Sequence, residues 1–279
     1  MCGRYALAKD PATLAEEFDA VDHVSDGTSG PASASGGAWA GPEYNVAPTL
    51  TVPAVVDRHP RDADGTPDPA RVERSLRPMR WGLVPGWAKD VAVGNRLINA
   101  RAETIVEKPA FRRAAAARRC LLPIDGWFEW LREGTGKEAR KTPYFMTLPS
   151  GASMALAGLW ETWRPAGSDD GPLVSTTVVT VDSAGPLAEI HHRMPLVLPA
   201  QRWADWLDPD RADPTELLVP PPPELLAEIE MRQVSSKVNN VRHHGPELVE
   251  EHVERPEQEG LDLDLEHGDD RETADANPA

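Results

Sequence analysis

The sequence is poor in cysteine, since Cys2 and Cys120 are the only two thiols among 279 residues. Two thiols make no disulfide framework, so we expect the protein in the cytoplasm, a reducing compartment. The chain also lacks any run of about 18 consecutive apolar residues, so no membrane-spanning helix is expected. Its first twenty residues contain Arg4, Lys9 and Asp10 and no apolar run, so we expect no secretory signal.

Metal-binding signatures are absent as well. The sequence contains no Cys-x-x-Cys or His-x-x-x-His spacing, which most protein zinc sites would need. Two pairs of adjacent histidines exist, at 191–192 and 243–244, but neighbouring side chains on a strand point to opposite faces. We therefore expect neither a metal nor a cofactor.

Positive charge is scarce overall but concentrated in one region. The net charge is −16, of which residues 247–279 contribute −11 through 13 acidic and 2 basic side chains. Residues 77–119, by contrast, hold 10 basic and 3 acidic side chains. Because charges act strongly only within about 8 Å at physiological salt, such a region can meet phosphates on an acidic chain. A solvated basic helix face is the alternative interpretation.

The residue pattern predicts a single α+β domain over residues 1–246, built on a curved, mostly antiparallel, barrel-like sheet with a few flanking helices. Polar and Gly/Pro-rich composition predicts flexible loops at about 22–42 and 57–73, and a disordered acidic tail at 247–279. Strands are predicted at 51–56, 76–81, 120–124, 127–131, 143–148, 153–160, 174–181 and 194–198. Helices are predicted at 11–18, 109–118, 200–207 and 223–230.

The opening Met-Cys-Gly-Arg-Tyr places a thiol beside a prospective amino terminus. If Met1 is removed, Cys2 carries an α-amine that titrates near ~8 and a thiol that titrates near ~8.5. Such a pair suits the capture of an aldehyde, because the amine forms an imine and the thiol then closes a five-membered thiazolidine. The alternative is that position 2 merely holds a small residue after an initiator methionine.

Three other stretches carry candidate chemical groups. Residues 97–104 place an amide, a guanidinium and a carboxylate after an apolar pair. Glu129 lies among aromatic residues that would raise its carboxyl pKa, although it also fits the solvent face of an amphipathic strand. His191, just before a strand, is a candidate proton carrier or a hydrogen-bonded structural histidine. Cys120, in an apolar strand, is interpreted as a buried core thiol.

Several motifs occur in one order across residues 2–242 and together resemble the SRAP family, the abasic-site processing proteins first named SOS response-associated peptidases. They are Met-Cys-Gly-Arg-Tyr, Tyr-Asn-Val-Ala-Pro, Trp-Gly-Leu-Val-Pro, Ile-Asn-Ala-Arg-Ala-Glu-Thr, Arg-Cys-Leu-Leu-Pro-Ile-Asp-Gly-Trp-Phe-Glu-Trp, Ile-His-His-Arg-Met-Pro and Val-Asn-Asn-Val.

The resemblance implies a DNA damage response protein that binds single-stranded DNA containing an abasic site. Such a protein would remove its own Met1 by autoproteolysis, cross-link to the lesion as a thiazolidine and shield it; a lyase activity is a further expectation. By motif, Cys2 would be the nucleophile and Asn99 would orient the cysteine and the sugar. Glu129 would be the acid and base near the amine, and His191 would transfer protons at the sugar.

Five further residues are expected to bind the DNA. Guanidinium groups grip phosphate oxygens, and aromatic rings stack on bases in single-strand binders, although core packing is the alternative for the tryptophans. The residues expected to bind the DNA are Arg4, Arg101, Arg193, Trp87 and Trp130. The sequence departs from the family pattern at His192, where a short polar residue is expected; His191 is preferred because it directly follows Ile190.

Two alternative functions come from other classes. One is a thiol peptidase or amidohydrolase that acts in trans with Cys2, His191 and Glu129 as nucleophile, base and orienting group. The other is a non-catalytic module that only binds single-stranded DNA. In every case a monomer is expected, located in the cytoplasm and associated with the nucleoid when bound to DNA.

Overall fold

The computed structural model describes residues 2–25, 39, 41–62, 64–136, 139–165, 167 and 171–252. Most of the predicted loop at 22–42, and residues 253–279 of the predicted tail, lie outside the described residues. The predicted loop at 57–73 is present as the connection between two long strands, and it contains an isolated bridge between Arg61 and Pro67. Among the described residues, no helix is long and apolar enough to cross a membrane.

The described part of the chain forms strands and short helices throughout. The strands are β1 Tyr5–Leu7, β2 Val21–Asp22, β3 Glu43–Val46, β4 Thr51–Arg58, β5 Glu73–Trp81, β6 Asn99–Arg101, β7 Arg119–Ile124, β8 Gly126–Glu133, β9 Arg140–Thr147, β10 Met154–Trp163, β11 Leu173–Asp182, β12 Arg193–Pro195 and β13 Glu230–Gln233. The α-helices are α1 Pro11–Glu17, α2 Arg112–Ala117, α3 Leu187–Ile190, α4 Trp203–Leu207 and α5 Pro223–Glu228. Turns of 3₁₀ helix cover Val91–Arg96, Ala102–Thr104, Ala200–Arg202, Thr215–Leu217, Ser236–Asn239 and Pro246–Leu248.

The strands belong to two sheets. A five-stranded sheet has the order β13-β9-β8-β1-β3, and an eight-stranded sheet has the order β12-β11-β10-β7-β4-β5-β2, with β6 beside β11. Strand β11 also pairs with β5, so the strands between them close into a ring-like arrangement. Most pairs are antiparallel, while β2 with β5 and β11 with both β5 and β6 are parallel. The α+β class and the curved, mostly antiparallel architecture are confirmed, as a ring-like pair of sheets rather than a barrel.

Local sequence explains the elements that were predicted well. Helix α1 begins after Asp10, whose carboxylate accepts from the backbone N–H of Thr13 at 3.0 Å, and Pro11 occupies the first helical turn. Strand β7 is buried along its whole length, as its almost continuous apolar run requires. The predicted helix at 109–118 is shorter, because residues 108–111 form turns before α2 begins.

The short strand β1 brings the amino terminus to the middle of the molecule. Tyr5 pairs with Trp127 and Ala6 with Gly126, and the N–H of Phe128 donates to the carbonyl of Arg4 at 3.0 Å. This register places the residues that precede β1 beside the part of β8 that contains Glu129. The sheets thereby join two segments that the sequence separates by more than 120 positions.

The carboxyl-terminal boundary differs from the expectation of a disordered segment from residue 247. Residues 246–248 form a 3₁₀ turn, and Leu248 is fully buried in a cluster with Ala6, Phe128 and Phe145. Leu248 belongs to this apolar cluster and Val249 packs against it, although the neighbouring residues in the sequence are acidic. The packed chain therefore extends beyond residue 246.

Candidate active site

Cys2 lies in the interior, with its backbone held by Asn99. The Nδ2 group of Asn99, at the start of β6, donates to the carbonyl oxygen of Cys2 at 2.7 Å. The Cys2 side chain is fully buried. Burial raises the pKa of this thiol strongly, and the nearby Glu129 carboxylate raises it further, so the thiol is protonated at neutral pH.

Two aromatic residues, Tyr5 and Trp81, belong to the same buried cluster as the cysteine. Burial raises the pKa of the Tyr5 hydroxyl well above its ordinary value. The Tyr5 ring contacts Trp81 with 5.1 Å between centroids, and Trp81 Nε1 donates to the carbonyl of Ile98 at 3.0 Å. These contacts fix the strand end from which Asn99 projects. The sequence did not single out Tyr5, although it lies in the Met-Cys-Gly-Arg-Tyr motif.

Glu129 is a buried carboxyl group and not a solvent-facing one. Only 3% of it is exposed, and burial raises its pKa from the ordinary 4.5 to about 7. The solvent-face alternative is therefore wrong, because β8 carries tertiary cover on this side as well. A carboxyl group with this pKa both gives and takes protons near neutrality.

His191 follows α3 and lies at the edge of β12. Its Nδ1 atom lies 2.9 Å from the backbone nitrogen of Arg193 and 3.0 Å from the carbonyl oxygen of the same residue, so Nδ1 has a backbone partner in either tautomer. Burial lowers the pKa of His191, so the neutral ring prevails at pH 7. Its ring stacks on that of His192, with 4.3 Å between centroids, and His192 is the exposed member of the pair.

Glu129 and His191 open into the same cavity, which has a volume of about 890 Å³. This volume matches that of a site for a small organic group or a nucleoside. Other side chains that line it were not predicted as site residues, notably Arg132, Lys141 and Asn239. The Val-Asn-Asn-Val motif contained a signal for Asn239, whereas the two cations carried no motif of their own.

Residues 238–243 are hydrogen-bonded to Arg4 of the amino-terminal segment and to Asn45. Arg4 Nη1 donates to Asn45 Oδ1 at 2.8 Å and to the carbonyl of Val238 at 3.0 Å. The amide of Asn45 in turn donates to the carbonyls of Val238, Asn240 and His243. At least one amino group of Arg4 therefore binds acceptors of the protein itself, although the sequence predicted that Arg4 contacts a phosphate.

The two predicted tryptophans have different surroundings. Trp87 is 63% exposed, which contradicts the core-packing alternative for this residue. Trp130 is half-buried at the cavity wall and donates from Nε1 to Asn239 Oδ1 at 2.6 Å. Trp87 therefore offers a free aromatic face, while Trp130 is held in place.

Arg193 is a structural residue in this fold. It is 5% exposed, and its guanidinium contacts both carboxylate oxygens of Glu103, at 2.8 and 3.1 Å, together with Asp182 and the carbonyl of Thr180. This set of acceptors argues against the predicted phosphate contact, because both Nη groups already bind the protein and the guanidinium is buried. Arg101, two residues after Asn99 on β6, is exposed and remains suited to bind DNA.

No group of three or more histidine, cysteine, aspartate or glutamate side chains that would hold a metal ion exists within the described ranges.

Comparison with known proteins gives one consistent family. The model of the family described as SOS response associated peptidase (SRAP) matches residues 1–241. The abasic site processing protein YoqW of Bacillus subtilis is 34% identical over 253 residues, which cover 90% of this chain and all of that protein. The abasic site processing protein HMCES of Pongo abelii is 34% identical over 240 residues, which cover 75% of this chain and 64% of that protein.

A solved structure shares the fold. The crystal structure of a protein from Bacteroides thetaiotaomicron superimposes with a TM-score of 0.67 at 21% identity, covering 90% of this chain and 100% of that one.

Proposed function

The chain belongs to the SOS response associated peptidase (SRAP) family, and we propose that it processes abasic sites by binding damaged single-stranded DNA and bonding covalently to it through Cys2. The observations that carry the proposal are the Asn99–Cys2 hydrogen bond, the β1–β8 pairing that places the amino-terminal segment beside Glu129, and the cavity shared by Glu129 and His191. These four residues come from four separate segments of the sequence. Their convergence matches the needs of one reaction, the condensation of an aminothiol with an aldehyde.

The first proposed step is removal of Met1. Water cleaves the peptide bond, so that hydroxyl goes to the methionine carbonyl and hydrogen goes to the Cys2 nitrogen, which becomes an amine. This step is required because an acylated nitrogen has no lone pair available for imine formation. Glu129, with a pKa of about 7, is the group suited to activate the water and protonate the leaving amine.

The second proposed step is capture of the lesion. The Cys2 amine attacks C1′ of the open-chain deoxyribose, and loss of one water gives the imine. The thiol sulfur then adds to the imine carbon, its proton moves to the nitrogen, and the thiazolidine ring closes. Glu129 is suited to accept the thiol proton in this step, because the buried thiol does not ionise by itself at neutral pH.

His191 is assigned to the sugar. An abasic deoxyribose is mostly a closed hemiacetal, so its ring oxygen must gain a proton while its hydroxyl loses one. A neutral imidazole at the cavity, with one N–H and one acceptor nitrogen, is suited to pass a proton to the ring oxygen. The histidine and the carboxyl group thus divide the proton transfers between sugar and amine.

Shielding of the lesion follows from the ring closure. An open imine at C1′ favours loss of the 3′ phosphate by elimination, which would be a lyase reaction. Addition of sulfur turns C1′ into a saturated carbon and removes the electron sink that the elimination needs. We propose that the thiazolidine is the main product and that strand cleavage is a minor one.

Nucleic-acid contacts are proposed for exposed residues around the site. Arg101 is suited to grip a phosphate next to the lesion, and Trp87 is suited to stack on a base. Arg132 and Lys141 face each other across β8 and β9 at the cavity, where two like charges without an intervening anion would repel. They are further candidates for phosphate contacts.

The decisive experiment is intact mass spectrometry after incubation with an oligonucleotide that contains an abasic site. The expected product weighs as much as the chain without Met1 plus the oligonucleotide, less one water, and it survives heating. A trans-acting peptidase would instead cleave added peptides and give no such conjugate, and a simple binding module would shift the oligonucleotide only reversibly. The cytoplasmic location and the monomeric state remain predictions.

A further inference from the structure

A second group of cations lies near the far end of the eight-stranded sheet. A cavity of about 200 Å³ is lined by Arg58, Arg61 and Arg77, with Glu73 as the one acidic residue in its wall. It adjoins the end of β5 at Glu73, whereas the active site adjoins the other end at Trp81. Eight residues of extended strand separate those ends, which corresponds to roughly 26 Å.

Arg58 of the cavity wall and Arg118, which is outside the lining, contact the same indole ring. Arg58 lies over Trp160 with 5.0 Å to the ring centroid, and Arg118 lies over the same ring at 5.8 Å. Stacking fixes the plane of a guanidinium and leaves its in-plane N–H groups directed outward. Arg118 uses one of its amino groups on Glu161, whereas the donors of Arg58 have no acceptor among the described residues.

The cluster is short of negative charge. Arg77 donates through Nε to Ser75 Oγ, which leaves its amino groups directed to the cavity that Arg58 also lines. Burial lowers the pKa of Arg58, and the charges of Arg77, Arg61 and Arg118 lower it further. His59 is engaged by Asp210 and by the carbonyl of Arg71, so Asp210 does not neutralise the arginines. Half-buried like charges at this proximity favour an anionic ligand.

We propose that this cavity binds a phosphate group of a single-stranded DNA backbone, as an anchoring point remote from Cys2. Guanidinium edges suit the bidentate geometry of phosphate oxygens. The cations form a row that begins at the β4–β5 connection and crosses neighbouring strands, through Arg61, Arg77, Arg58 and Arg118. A polyanion needs such a row of cations, whereas a single free phosphate does not. Trp160 is only 7% exposed and covered by arginine, so the contact would carry no base preference. The inference rests on the proposed DNA substrate but not on the covalent step.

The test compares the salt dependence of binding to lesion-free single-stranded DNA. A fluorescent long oligonucleotide and a short one are titrated by anisotropy with the wild type, the double variant Arg58→Gln with Arg77→Gln, and the control Arg164→Gln. Arg164 is an exposed arginine outside the cluster. The double variant should bind the long strand several-fold more weakly, and its salt slope should fall by roughly 0.7 for each phosphate that the variant no longer binds. The control should change neither quantity.

Two additional measurements separate the remaining outcomes. The double variant Arg58→Lys with Arg77→Lys keeps the charge but not the bidentate geometry, so it should retain most of the salt slope and lose affinity. Thermal unfolding with added inorganic phosphate tests whether free phosphate stabilises the wild type more than the glutamine variant. A folded glutamine variant with the slope of the control overturns the inference, and stabilisation by phosphate with unchanged DNA binding overturns DNA as the ligand. A wild type that binds no DNA contradicts the proposed function itself.

Discussion

The Nδ2 group of Asn99 donates to the carbonyl oxygen of Cys2 at 2.7 Å, joining two residues that are 97 positions apart. This hydrogen bond connects the amino-terminal segment to β6, which β11 holds in parallel register through Val178 and Asn99. It acts on the backbone of Cys2 and not on the thiol. Asn99 therefore fixes where the amine and the sulfur lie without taking part in their proton transfers.

The first prediction concerns this hydrogen bond. Asn99→Ala should slow conjugate formation on the order of 10- to 100-fold, because the nucleophile is no longer held in a fixed orientation. The effect should appear in the rate at saturating DNA and not in the DNA dissociation constant, since the amide contacts the protein. Time-resolved gel analysis of the heat-stable conjugate gives the rate, and anisotropy gives the affinity. An unchanged rate would remove Asn99 from its positioning role.

The second prediction separates the two thiols. Cys2→Ala should abolish the heat-stable conjugate while leaving reversible affinity for single-stranded DNA, because the remaining amine forms only a hydrolysable imine that no sulfur can close into a ring. Cys120→Ala is the matched control, since Cys120 is equally buried but lies against Thr176 in the core, with 3.3 Å between Sγ and Oγ1. Intact mass spectrometry decides the case. A heat-stable conjugate that persists in Cys2→Ala, or that disappears in a folded Cys120→Ala, would contradict the assignment.

The third prediction follows from the raised pKa of Glu129. The folded chain keeps this proton up to about pH 7, while the unfolded chain releases it near 4.5, so the unfolded state binds fewer protons between these values. Stability therefore falls as pH rises through this window, by on the order of 3 kcal/mol. Glu129→Gln should abolish that decrease and unfold at higher denaturant concentration than the wild type at pH 8.

Urea unfolding at pH 4 and pH 8 checks this effect. Glu133→Gln, on the same strand but exposed, is the control and should leave the pH dependence of the wild type unchanged. If Glu129→Gln shows the same decrease in stability between the two pH values as the wild type, another group is responsible. The conjugation rate of Glu129→Gln should also lack the wild-type inflection near pH 7.

The fourth prediction contrasts two arginines that the sequence assigned to DNA. Arg193→Gln should destabilise the fold by roughly 1 to 3 kcal/mol, because the buried Thr180 carbonyl loses its charged donor and Glu103 and Asp182 lose their partner. Arg101→Gln should leave stability unchanged and weaken DNA binding, with a smaller salt slope. Thermal unfolding and anisotropy on both variants give the answer. The reverse pattern would restore Arg193 as a phosphate contact.

The fifth prediction tests the exposed indole. Trp87→Ala should reduce affinity for single-stranded DNA by about 1 to 3 kcal/mol if a base stacks on it, without lowering the unfolding temperature. Val72→Ala is a suitable control, because Val72 is also an exposed apolar residue, with 53% of its surface accessible. Equal affinities for both variants and the wild type would exclude stacking at Trp87.

The sequence predicted the long strands well and the short ones poorly. Strands β7 and β10 contain apolar runs and β11 is rich in β-branched residues, signals that need no tertiary information to be recognised. Strands β1 and β6 have three residues each, too few to show a period, and they exist because longer strands accept their hydrogen bonds. Local pattern therefore showed neither β1, which follows Cys2, nor β6, which carries Asn99, whereas β8 with Glu129 was predicted.

The role of a charged residue was equally hard to predict from its type. Arg101 and Arg193 both lie in motifs that suggested phosphate contacts, yet one is exposed and the other is enclosed by acceptors. Glu129 fitted a solvent-facing position by strand alternation, but packing on both faces of β8 buries it. Burial and pairing depend on what the rest of the chain places opposite, which the local sequence does not contain.

The sequence by itself determined the α+β class and the family, because ordered motifs and apolar runs survive without knowledge of contacts. It also named Cys2, Asn99, Glu129 and His191 as a set. Only the tertiary structure decided that a carboxyl group and a thiol share a low-dielectric interior, which sets their protonation states. The physical reason is that a pKa and a hydrogen bond depend on distance in space, and distance is fixed by strand pairing between remote segments.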